Sequence, residues 1–316
     1  MQPSAGTPRT DLDPRLALPP EGLAERARRL GPLPYSSLGT SPPAPGLPDA
    51  GELAAWESRT VDQLWEEAGR PDPFTVVQVP AGDGSVAAEM LTGRSRPGCS
   101  AALRLVLVEE DEGLREGHAG RIPVESPALF LGPVTVSEDP DEEPQPVTGI
   151  GPIATSLAEL PVVNGACAVM ATGWLSRLEY DLFEWRDGRW YEVRLAAASE
   201  TGSTLQPITV ELDPDRRARL DQLVVPEQRS DGSRYALRPA AAAWLRSALG
   251  AAETGCVVAA DFWTETTAQT GERFPVPVAL DQLPHAGGPV LPQAGGPVLP
   301  QAGGPAGWGV VRWRIG

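Results

Sequence analysis

The stretch VVQVPAGDGSVAAEML, at residues 76–91, is the feature that most limits how this 316-residue chain can fold. It joins an apolar run, a turn in which Gly82 and Gly84 flank Asp83, and a segment with helical spacing. Glycine is favoured at such a strand-to-helix turn where the backbone must approach a ligand, because it has no Cβ atom. The free N–H groups at the start of the helix then attract the negative groups of that ligand. The stretch therefore predicts a cofactor turn, which needs support from neighbouring segments.

Short apolar runs alternate with helical patterns along much of the chain. The predicted strands are residues 74–79, 101–109, 127–132, 165–171 and 255–263. The predicted helices are residues 20–30, 50–69, 84–93, 111–120, 214–223 and 239–250. Strands alternating with helices indicate parallel strands joined by helical crossovers, so we predict an α/β fold with a mostly parallel sheet.

Residues 182–196 interrupt this alternation and predict an added β-hairpin. Asp187-Gly188 is the sequence signal of a type I′ turn, and aromatic residues lie on both sides of it. A further strand is predicted at residues 206–212. Asp213 follows it and is expected to cap the helix that opens at Pro214.

The two ends of the chain are rich in proline. Residues 1–20 are expected to be poorly ordered. Three octads, LPHAGGPV, LPQAGGPV and LPQAGGPA, fill residues 283–306, and two glycines and two prolines in each exclude a helix or a central strand. We interpret the octads as a flexible tether to a last strand. The predicted organisation is an N-terminal segment and helix at 1–35, an α/β domain at 36–282, the tether at 283–306 and a sheet strand at 307–316.

The charge of the chain excludes one class of partner. The formal net charge is −16, the isoelectric point is near 4.6, and all 26 basic residues are arginine. Nucleic acid binding needs a basic surface, so we expect no nucleic acid partner. An acidic surface tolerates a cationic partner.

The cysteines and the hydropathy indicate the compartment. Cys99, Cys167 and Cys256 are far apart and odd in number, and no Cys-x-x-Cys motif is present, so we expect neither a metal site nor a Cys/His nucleophile. No apolar run approaches about 20 residues, and the first 20 residues lack the apolar core of a signal peptide. We therefore expect a cytoplasmic protein without a membrane partner.

Glu109 strengthens the prediction of a cofactor turn. It ends the second predicted strand, and an acidic residue there holds ribose hydroxyls in sheet-edge nucleotide sites. The alternative is that Glu109 belongs with Glu110, Asp111 and Glu112 to a solvated charge run that caps the next helix.

Several segments together resemble a known family. They are LGTSPPAPG, LWEEAGRPDPFTVVQVPAGDGSVAAEML, AALRLVLVEEDEGLREGHA, GPIATSLAELP, WRDGRWYEVRLA, AAAAWLRSALGAAETGCVVAADF and AGWGVVRWRIG. With these segments the chain resembles the MidA-type S-adenosylmethionine-dependent methyltransferases, relatives of the mitochondrial complex I assembly methyltransferase, and it looks most like actinobacterial members. The resemblance covers most of residues 36–263 and the final strand. It implies a class I methyltransferase (Rossmann-like) sheet with flanking helices, and S-adenosylmethionine as cofactor.

The resemblance also implies site residues. The residues implied in cofactor binding are Thr40, Ser41, Gln78, Ala81, Gly82, Gly84 and Glu109. At the edge where the methyl acceptor would bind, the candidates for a catalytic role are Thr172, Ser176 and Asp261. Trp174 and Trp263 belong either to the wall of an acceptor pocket or to the core, and His118 and His285 are given no role.

The sequence departs from the family at the same places. Gln78 stands where the family has an acid, and Pro80 replaces the first glycine of the turn. Thr172, Gly173 and Ser176 replace an Asn-Glu-Leu-Leu-Asp type segment. Glu179 and Asp181 either compensate for the lost acids or belong to the entry of the hairpin.

These departures leave two hypotheses about function. The first is an active methyltransferase whose acceptor is protein arginine or a small molecule. The second is a non-catalytic relative that retains cofactor binding or serves as a scaffold. The second hypothesis includes the loss of the cofactor itself, and the repeat that fills the place of a longer family segment favours this hypothesis.

Overall fold

A computed structural model of the chain describes residues 20–34, 36, 50–92, 96–125, 135–136, 145–146, 148–199, 204–264, 269–270, 278–279, 282–283 and 307–315. The α-helices and β-strands, in chain order, are α1 (Pro20–Leu30), β1 (Leu33–Pro34), α2 (Ala50–Glu67), β2 (Phe74–Val79), α3 (Ser85–Leu91), α4 (Pro97–Ala102), β3 (Leu103–Val108), α5 (Glu112–Gly117), β4 (Thr135–Val136), β5 (Gln145–Pro146), β6 (Ile153–Leu157), β7 (Val163–Thr172), β8 (Asp181–Arg186), β9 (Arg189–Ala197), β10 (Leu205–Glu211), α6 (Pro214–Leu223), β11 (Ser233–Leu237), α7 (Pro239–Leu249), β12 (Ala252–Thr264), β13 (Gln269–Thr270), β14 (Val278–Ala279) and β15 (Gly307–Ile315).

The chain forms two compact units, each built from separate segments. One unit takes its residues from Met1–Ala44, Glu179–Leu237 and Thr267–Val276. The other takes them from Pro45–Leu178, Arg238–Thr266 and Pro277–Gly316. The domain boundaries at residues 35, 282 and 306 remain a prediction.

The larger unit contains the parallel sheet that the sequence predicts. Among the described residues its strand order is β14-β12-β7-β2-β3-β6, and every pair in this row is parallel. Strand β15 pairs antiparallel with β12, which confirms the predicted final strand. All residues of β2 and β3 are buried, as expected for central parallel strands that are covered on both faces.

Alternate residues of the sheet face two different layers. Val77, Val79 and Val169 lie in one core cluster with Ala241 and Leu245 of α7. The intervening residues Gln78 and Thr172 point to the opposite face, where both contact α2. This alternation decides which side chains of β2 and β7 meet α2.

Two strand predictions in this unit need correction. The predicted strand at 101–109 begins only at Leu103, because residues 97–102 form α4 with a proline in its first turn. The strand beside β3 is β6, which the sequence analysis did not predict as a strand. The strand predicted at 127–132 lies outside the described residues.

The smaller unit is an antiparallel sheet. Among the described residues its order is β1-β9-β8-β11-β13, with β10 also paired to β9. The predicted hairpin is confirmed as β8 and β9, and the positive φ angles of Asp187 (51°) and Gly188 (73°) fit the type I′ turn. The hairpin was expected as an addition to the parallel sheet. Instead it is the centre of a second sheet, because its apolar residues pack with those of β11 and α6.

The core of this second sheet is aromatic. Phe183, Trp190 and Tyr235 are buried together with Leu220 of α6, and the rings of Trp190 and Tyr235 meet edge to face with centroids 5.4 Å apart. The predicted cap of α6 is confirmed, since the Asp213 carboxylate accepts a hydrogen bond from the Arg216 N–H.

The remaining expectations concern the ends of the chain and the membrane. The octads, from residue 284 onward, lie outside the described residues, as does the segment before residue 20. In the described part of the chain, no helix combines the length and the apolar character needed to cross a membrane.

Candidate functional site

The turn between β2 and α3 lies at the carboxyl end of the parallel sheet. The Ala81 N–H donates to the carbonyl oxygen of Val108 (2.9 Å), which ties the turn to the end of β3. The Gly84 N–H donates to the Ala81 carbonyl oxygen (3.1 Å). Gly82 and Gly84 have φ angles of 58° and 82°. These left-handed angles explain why glycine stands at both positions.

The Glu109 carboxylate holds this turn from the neighbouring strand. One oxygen accepts a hydrogen bond from the Gly82 N–H (2.9 Å), and the other accepts from the Asp111 N–H (3.0 Å). Its side chain is buried although it follows the last residue of β3. Asp111, and not Glu109, caps the next helix by accepting from the Leu114 N–H (2.9 Å). This geometry places the Glu109 carboxylate against the turn of residues 80–84 and not in the cap of the next helix.

A buried histidine holds the same glycine from the other side. His118 Nε2 lies 2.8 Å from the carbonyl oxygen of Gly82, and Nδ1 lies 2.8 Å from Ser156 Oγ. Because a carbonyl oxygen only accepts, Nε2 carries the proton of this bond. A Cβ atom at Gly84 would stand 3.1 Å from the imidazole ring. The sequence analysis gave His118 no role, and the structure corrects this by placing it against the turn.

The outer side of the turn carries an ion pair. Asp83 and Arg121 lie 2.7 Å apart, and Asp83 also accepts from the Ser85 N–H at the start of α3. Partial burial opposes ionisation of Asp83, but the Ser85 hydrogen bonds and the Arg121 charge outweigh it and hold the pKa of Asp83 below its ordinary value. Two carboxylates thus hold the turn: Glu109 binds the Gly82 N–H, and Asp83 is held by Arg121 and the Ser85 N–H.

A second cluster lies where β2 and β7 end. Gln78 does not stand alone, because its amide donates to a carboxylate oxygen of Glu57 on α2 (2.6 Å). The Thr172 hydroxyl, at the last position of β7, donates to the other oxygen of Glu57 (2.9 Å). Glu57 is 1% exposed, and burial raises its pKa to about 7 although the two hydrogen bonds lower it. An acid is therefore present beside Gln78, supplied by a different element.

The remaining acceptor-side candidates contact each other. Asp261 on β12 is fully buried, and its carboxylate accepts from the Ser176 N–H (3.0 Å). The buried Arg238 guanidinium donates to the carbonyl oxygens of Ser176 and Leu178, each at 3.1 Å. These contacts fix the turn that follows β7. They use the backbone of Ser176 rather than its hydroxyl.

Other candidates are not part of these clusters. Trp174 is buried in the core against Trp244, which agrees with the core alternative. Asp181 pairs with Arg216 at 2.9 Å within the antiparallel unit, as the hairpin-entry alternative requires. Thr40 and Ser41 lie outside the described residues, as do His285 and the side chain of Trp263.

Sequence reasoning missed Glu57 as well as His118. A signal for Glu57 exists, because it lies on the buried stripe of α2 with Ala54, Val61 and Leu64, at the spacing of one helix face. A charged residue on such a stripe indicates a buried partner. For His118 the sequence offers no comparable signal, since Gly82 and Ser156 are distant along the chain.

Comparison with known sequences identifies the family. Residues 58–279 match the family described as "Putative S-adenosyl-L-methionine-dependent methyltransferase". This match covers more than half of the chain. The chain therefore belongs to this methyltransferase family. No curated protein matches its sequence.

Two solved structures from Burkholderia thailandensis are similar in fold. One, of an uncharacterized superfamily protein, is 17% identical with a TM-score of 0.50, and the match covers 77% of this chain and 60% of that one. The other is a superfamily member and "likely methyl transferase" bound to S-adenosyl-homocysteine; it is 17% identical with a TM-score of 0.53, over 77% of this chain and 62% of that one. The chain thus spans about three fifths of the length of these relatives. At this identity the likeness is one of fold.

Proposed function

We propose that this chain binds S-adenosylmethionine at the turn of residues 80–84 and at Glu109, and transfers its methyl group to an acceptor. The family and the mixed α/β fold with a parallel sheet support the class of reaction. One observation carries the site: the Glu109 carboxylate, at the end of β3, is held 2.9 Å from the backbone N–H of Gly82 in the turn after β2.

The hydrogen bonds of Glu109 fit a ribose. A carboxylate accepts about four hydrogen bonds, and the N–H groups of Gly82 and Asp111 use one on each oxygen. Each oxygen therefore retains capacity for a ribose hydroxyl, which is the role of an acid at this position in sheet-edge nucleotide sites. Ala81, Gly82 and Gly84 would form the floor beneath the cofactor, and Gln78 would act through Glu57.

The cofactor supplies an electrophilic methyl group on a sulfonium. The protein has to hold the acceptor lone pair in line with that methyl group, so catalysis depends mainly on proximity and orientation. Thr172, at the half-buried end of β7, is the candidate that would face such an acceptor. We keep protein arginine and a small molecule as the two acceptor classes, with an acidic chain favouring a cationic one.

A non-catalytic function is the second candidate, and the burial of Asp261 favours it. This carboxylate is 0% exposed and accepts from Ser176 N–H, so it is committed to structure rather than to an acceptor. A protein with an intact cofactor turn but no free acid for the acceptor would bind the cofactor or its demethylated product without transferring the methyl group. It would then act as a binding or scaffold partner.

Three buried, free cysteines support a reducing, cytoplasmic location for either function. They are Cys99, Cys167 and Cys256.

Calorimetric titration with S-adenosylmethionine and S-adenosylhomocysteine tests the cofactor site. We expect dissociation constants on the order of micromolar and a loss of about 10- to 100-fold in Glu109→Ala, as removal of a charged acceptor implies. Glu109→Gln retains an acceptor for the Gly82 N–H and should lose less. Glu112→Ala, at an exposed position in the same charge run, is the matched control and should bind like the unmodified chain.

The outcomes separate the candidates. If neither ligand binds, the proposed cofactor site is wrong. Binding together with production of S-adenosylhomocysteine in the presence of an arginine peptide or a small amine supports catalysis. Binding without turnover on either acceptor class supports the second candidate.

A further inference from the structure

The cluster of Glu57, Gln78 and Thr172 joins three elements at one point. Glu57 comes from α2, Gln78 is the penultimate residue of β2, and Thr172 ends β7. Both carboxylate oxygens of Glu57 are engaged, at 2.6 Å by the Gln78 amide and at 2.9 Å by the Thr172 hydroxyl. The cluster therefore lies directly before the cofactor turn and beside the strand end where the acceptor would bind.

The groups that contact Glu57 are neutral. Burial raises its pKa, the Thr172 hydroxyl and the Gln78 amide lower it in part, and no charged group of the described residues is among the causes. Of the titratable groups on the elements packed against α2, Glu89 on α3 is exposed and Cys167 on β7 points to the opposite face of the sheet. Cys99 on α4 interacts with Asp62, and Arg312 on β15 pairs with Glu67, so neither faces Glu57. A buried carboxylate without a neighbouring cation is costly in its charged form.

The position of the cluster indicates what would relieve that cost. Gln78 leads directly into the turn of residues 80–84, and Thr172 is half-buried rather than enclosed. A cation bound above the turn would therefore lie at the Thr172 end of the cluster. The proposed cofactor carries such a charge on its sulfonium, whereas its demethylated product has a neutral thioether in the same place.

We propose that Glu57 is the counter-charge for a sulfonium bound at the end of β2, and that it sets the preference of the site for S-adenosylmethionine over S-adenosylhomocysteine. This proposal rests on the proposed cofactor site. Glu57 provides the charge that Gln78 lacks, and the Gln78 amide and Thr172 hydroxyl hold its carboxylate in place.

Proton release follows from this role. At pH 6 a carboxyl group whose pKa is about 7 is mostly protonated. A sulfonium stabilises the ionised form, so its binding expels the proton. At that pH the expected release is about 0.4 proton per ligand for one pKa unit of coupling, and it approaches about 0.9 proton for stronger coupling. S-adenosylhomocysteine has the same α-ammonium but no sulfonium, so the difference in proton release between the two ligands isolates the effect of the sulfonium.

Calorimetry at pH 6, in two buffers of different ionisation enthalpy, measures the release. For the unmodified chain we expect S-adenosylmethionine to release about 0.4 to 0.9 proton more than S-adenosylhomocysteine. In Glu57→Gln this excess should vanish, because glutamine is neutral but keeps the hydrogen-bonding shape. At pH 8 the affinity ratio of the two ligands should also fall at least about 10-fold in the variant, which corresponds to one pKa unit of coupling.

Two further variants serve as controls. Thr172→Val removes a hydrogen bond that lowers the pKa of Glu57, so the pH midpoint of the affinity ratio should move upward. Glu116→Gln neutralises an exposed carboxylate on α5 and should leave both the ratio and the proton release unchanged.

The results distinguish the two proposals. If both ligands bind but Glu57→Gln leaves the ratio and proton release as in the unmodified chain, Glu57 is not the counter-charge, although the cofactor site stands. If Glu57→Gln does not fold, an unshifted midpoint in Thr172→Val has the same meaning. If neither ligand binds the unmodified chain, both proposals are overturned.

Discussion

Glu57 is a buried carboxyl group that should make the stability of the ligand-free protein depend on pH. Its pKa is about 7 in the folded state, above the ordinary 4.5, so the folded chain binds the proton more tightly than the unfolded chain. The stabilising contribution is complete below pH 4.5 and is lost as the pH rises to 7. We therefore expect Glu57→Gln to gain stability over the unmodified chain between pH 5 and pH 8, by on the order of 2–4 kcal/mol.

Urea denaturation of both chains at several pH values measures this gain. The difference between the two chains isolates Glu57 from the other titrating groups. Parallel pH profiles for the two chains would contradict the buried state of Glu57. A gain in stability accompanied by weaker cofactor binding would be a trade-off of the kind common at functional sites.

His118 is expected to hold the cofactor turn in its binding shape. His118→Ala removes the donor to the Gly82 carbonyl oxygen and the partner of the Ser156 hydroxyl, and leaves polar groups buried without them. We expect a loss of about 2–3 kcal/mol in stability and about tenfold weaker binding of S-adenosylhomocysteine. His118→Gln can still donate toward Gly82 and should recover part of the affinity. Equal affinities for the alanine and glutamine variants, measured by calorimetry, would argue that the hydrogen bond to Gly82 does not matter.

Site residues that lie at the ends of the predicted strands could be found from the sequence. Site residues that contact these strand ends from distant helices could not. Gly82, Gly84 and Glu109 come together because the carboxyl ends of adjacent parallel strands meet at one edge. Glu57 and His118 reach the same edge from helical segments 21 and 36 residues from the groups they bind. No local pattern specifies such a distance, although the position of Glu57 on a buried helix face was a readable signal.

At the level of elements, β12 depends on a glycine at its contact with β7. Gly255 has a φ angle of 133°, and a Cβ atom there would stand 1.8 Å from the carbonyl oxygen of Cys167. The pairing register of the two strands shifts just before it, between Ala252 and Thr254. The backbones of β7 and β12 therefore leave no space for a side chain at this position.

We expect Gly255→Ala to destabilise the protein by more than about 3 kcal/mol, because the overlap is with backbone that cannot move aside. Gly165→Ala is the matched control, since Gly165 also has positive φ (95°) but has no atom within 4 Å of its added Cβ. The control should lose only about 1–2 kcal/mol, the cost of the left-handed conformation. Equal losses in urea denaturation would show that the conformation alone explains the glycine.

The elements that could be predicted are those with one clear sequence pattern, such as an apolar strand or a turn signal. β2 is apolar at four of its six positions, and Asp187-Gly188 defines a turn by itself. Strand β6 was missed because Thr155 and Ser156 are polar; their hydroxyls bond to Glu125 and His118. Helix α4 was missed because it has six residues and continues directly into β3, too short for a helical period.

At the level of the whole molecule, the α/β sheet was predictable and the second sheet was not. The parallel sheet follows from strands that recur along the chain with helices between them. The antiparallel sheet unites distant segments, as the pairs Leu33 with Leu195 and Arg234 with Thr270 demonstrate. A hairpin can be recognised from its turn, but the sequences of the strands that pair with it do not indicate which strand they pair with.

The contact between Arg238 and Leu178 bears on how such a chain can change over generations. Residue 178 is the last of its unit before the segment 179–237, and residue 238 is the first after it. A hydrogen bond of 3.1 Å joins them. A change of length within residues 179–237 should therefore leave the ends of β7 and α7 in place, because the contact between them does not run through that segment. Since β9 and β11 also pair with β1 and β13, the loops between the strands are the places where such a change is expected to be tolerated.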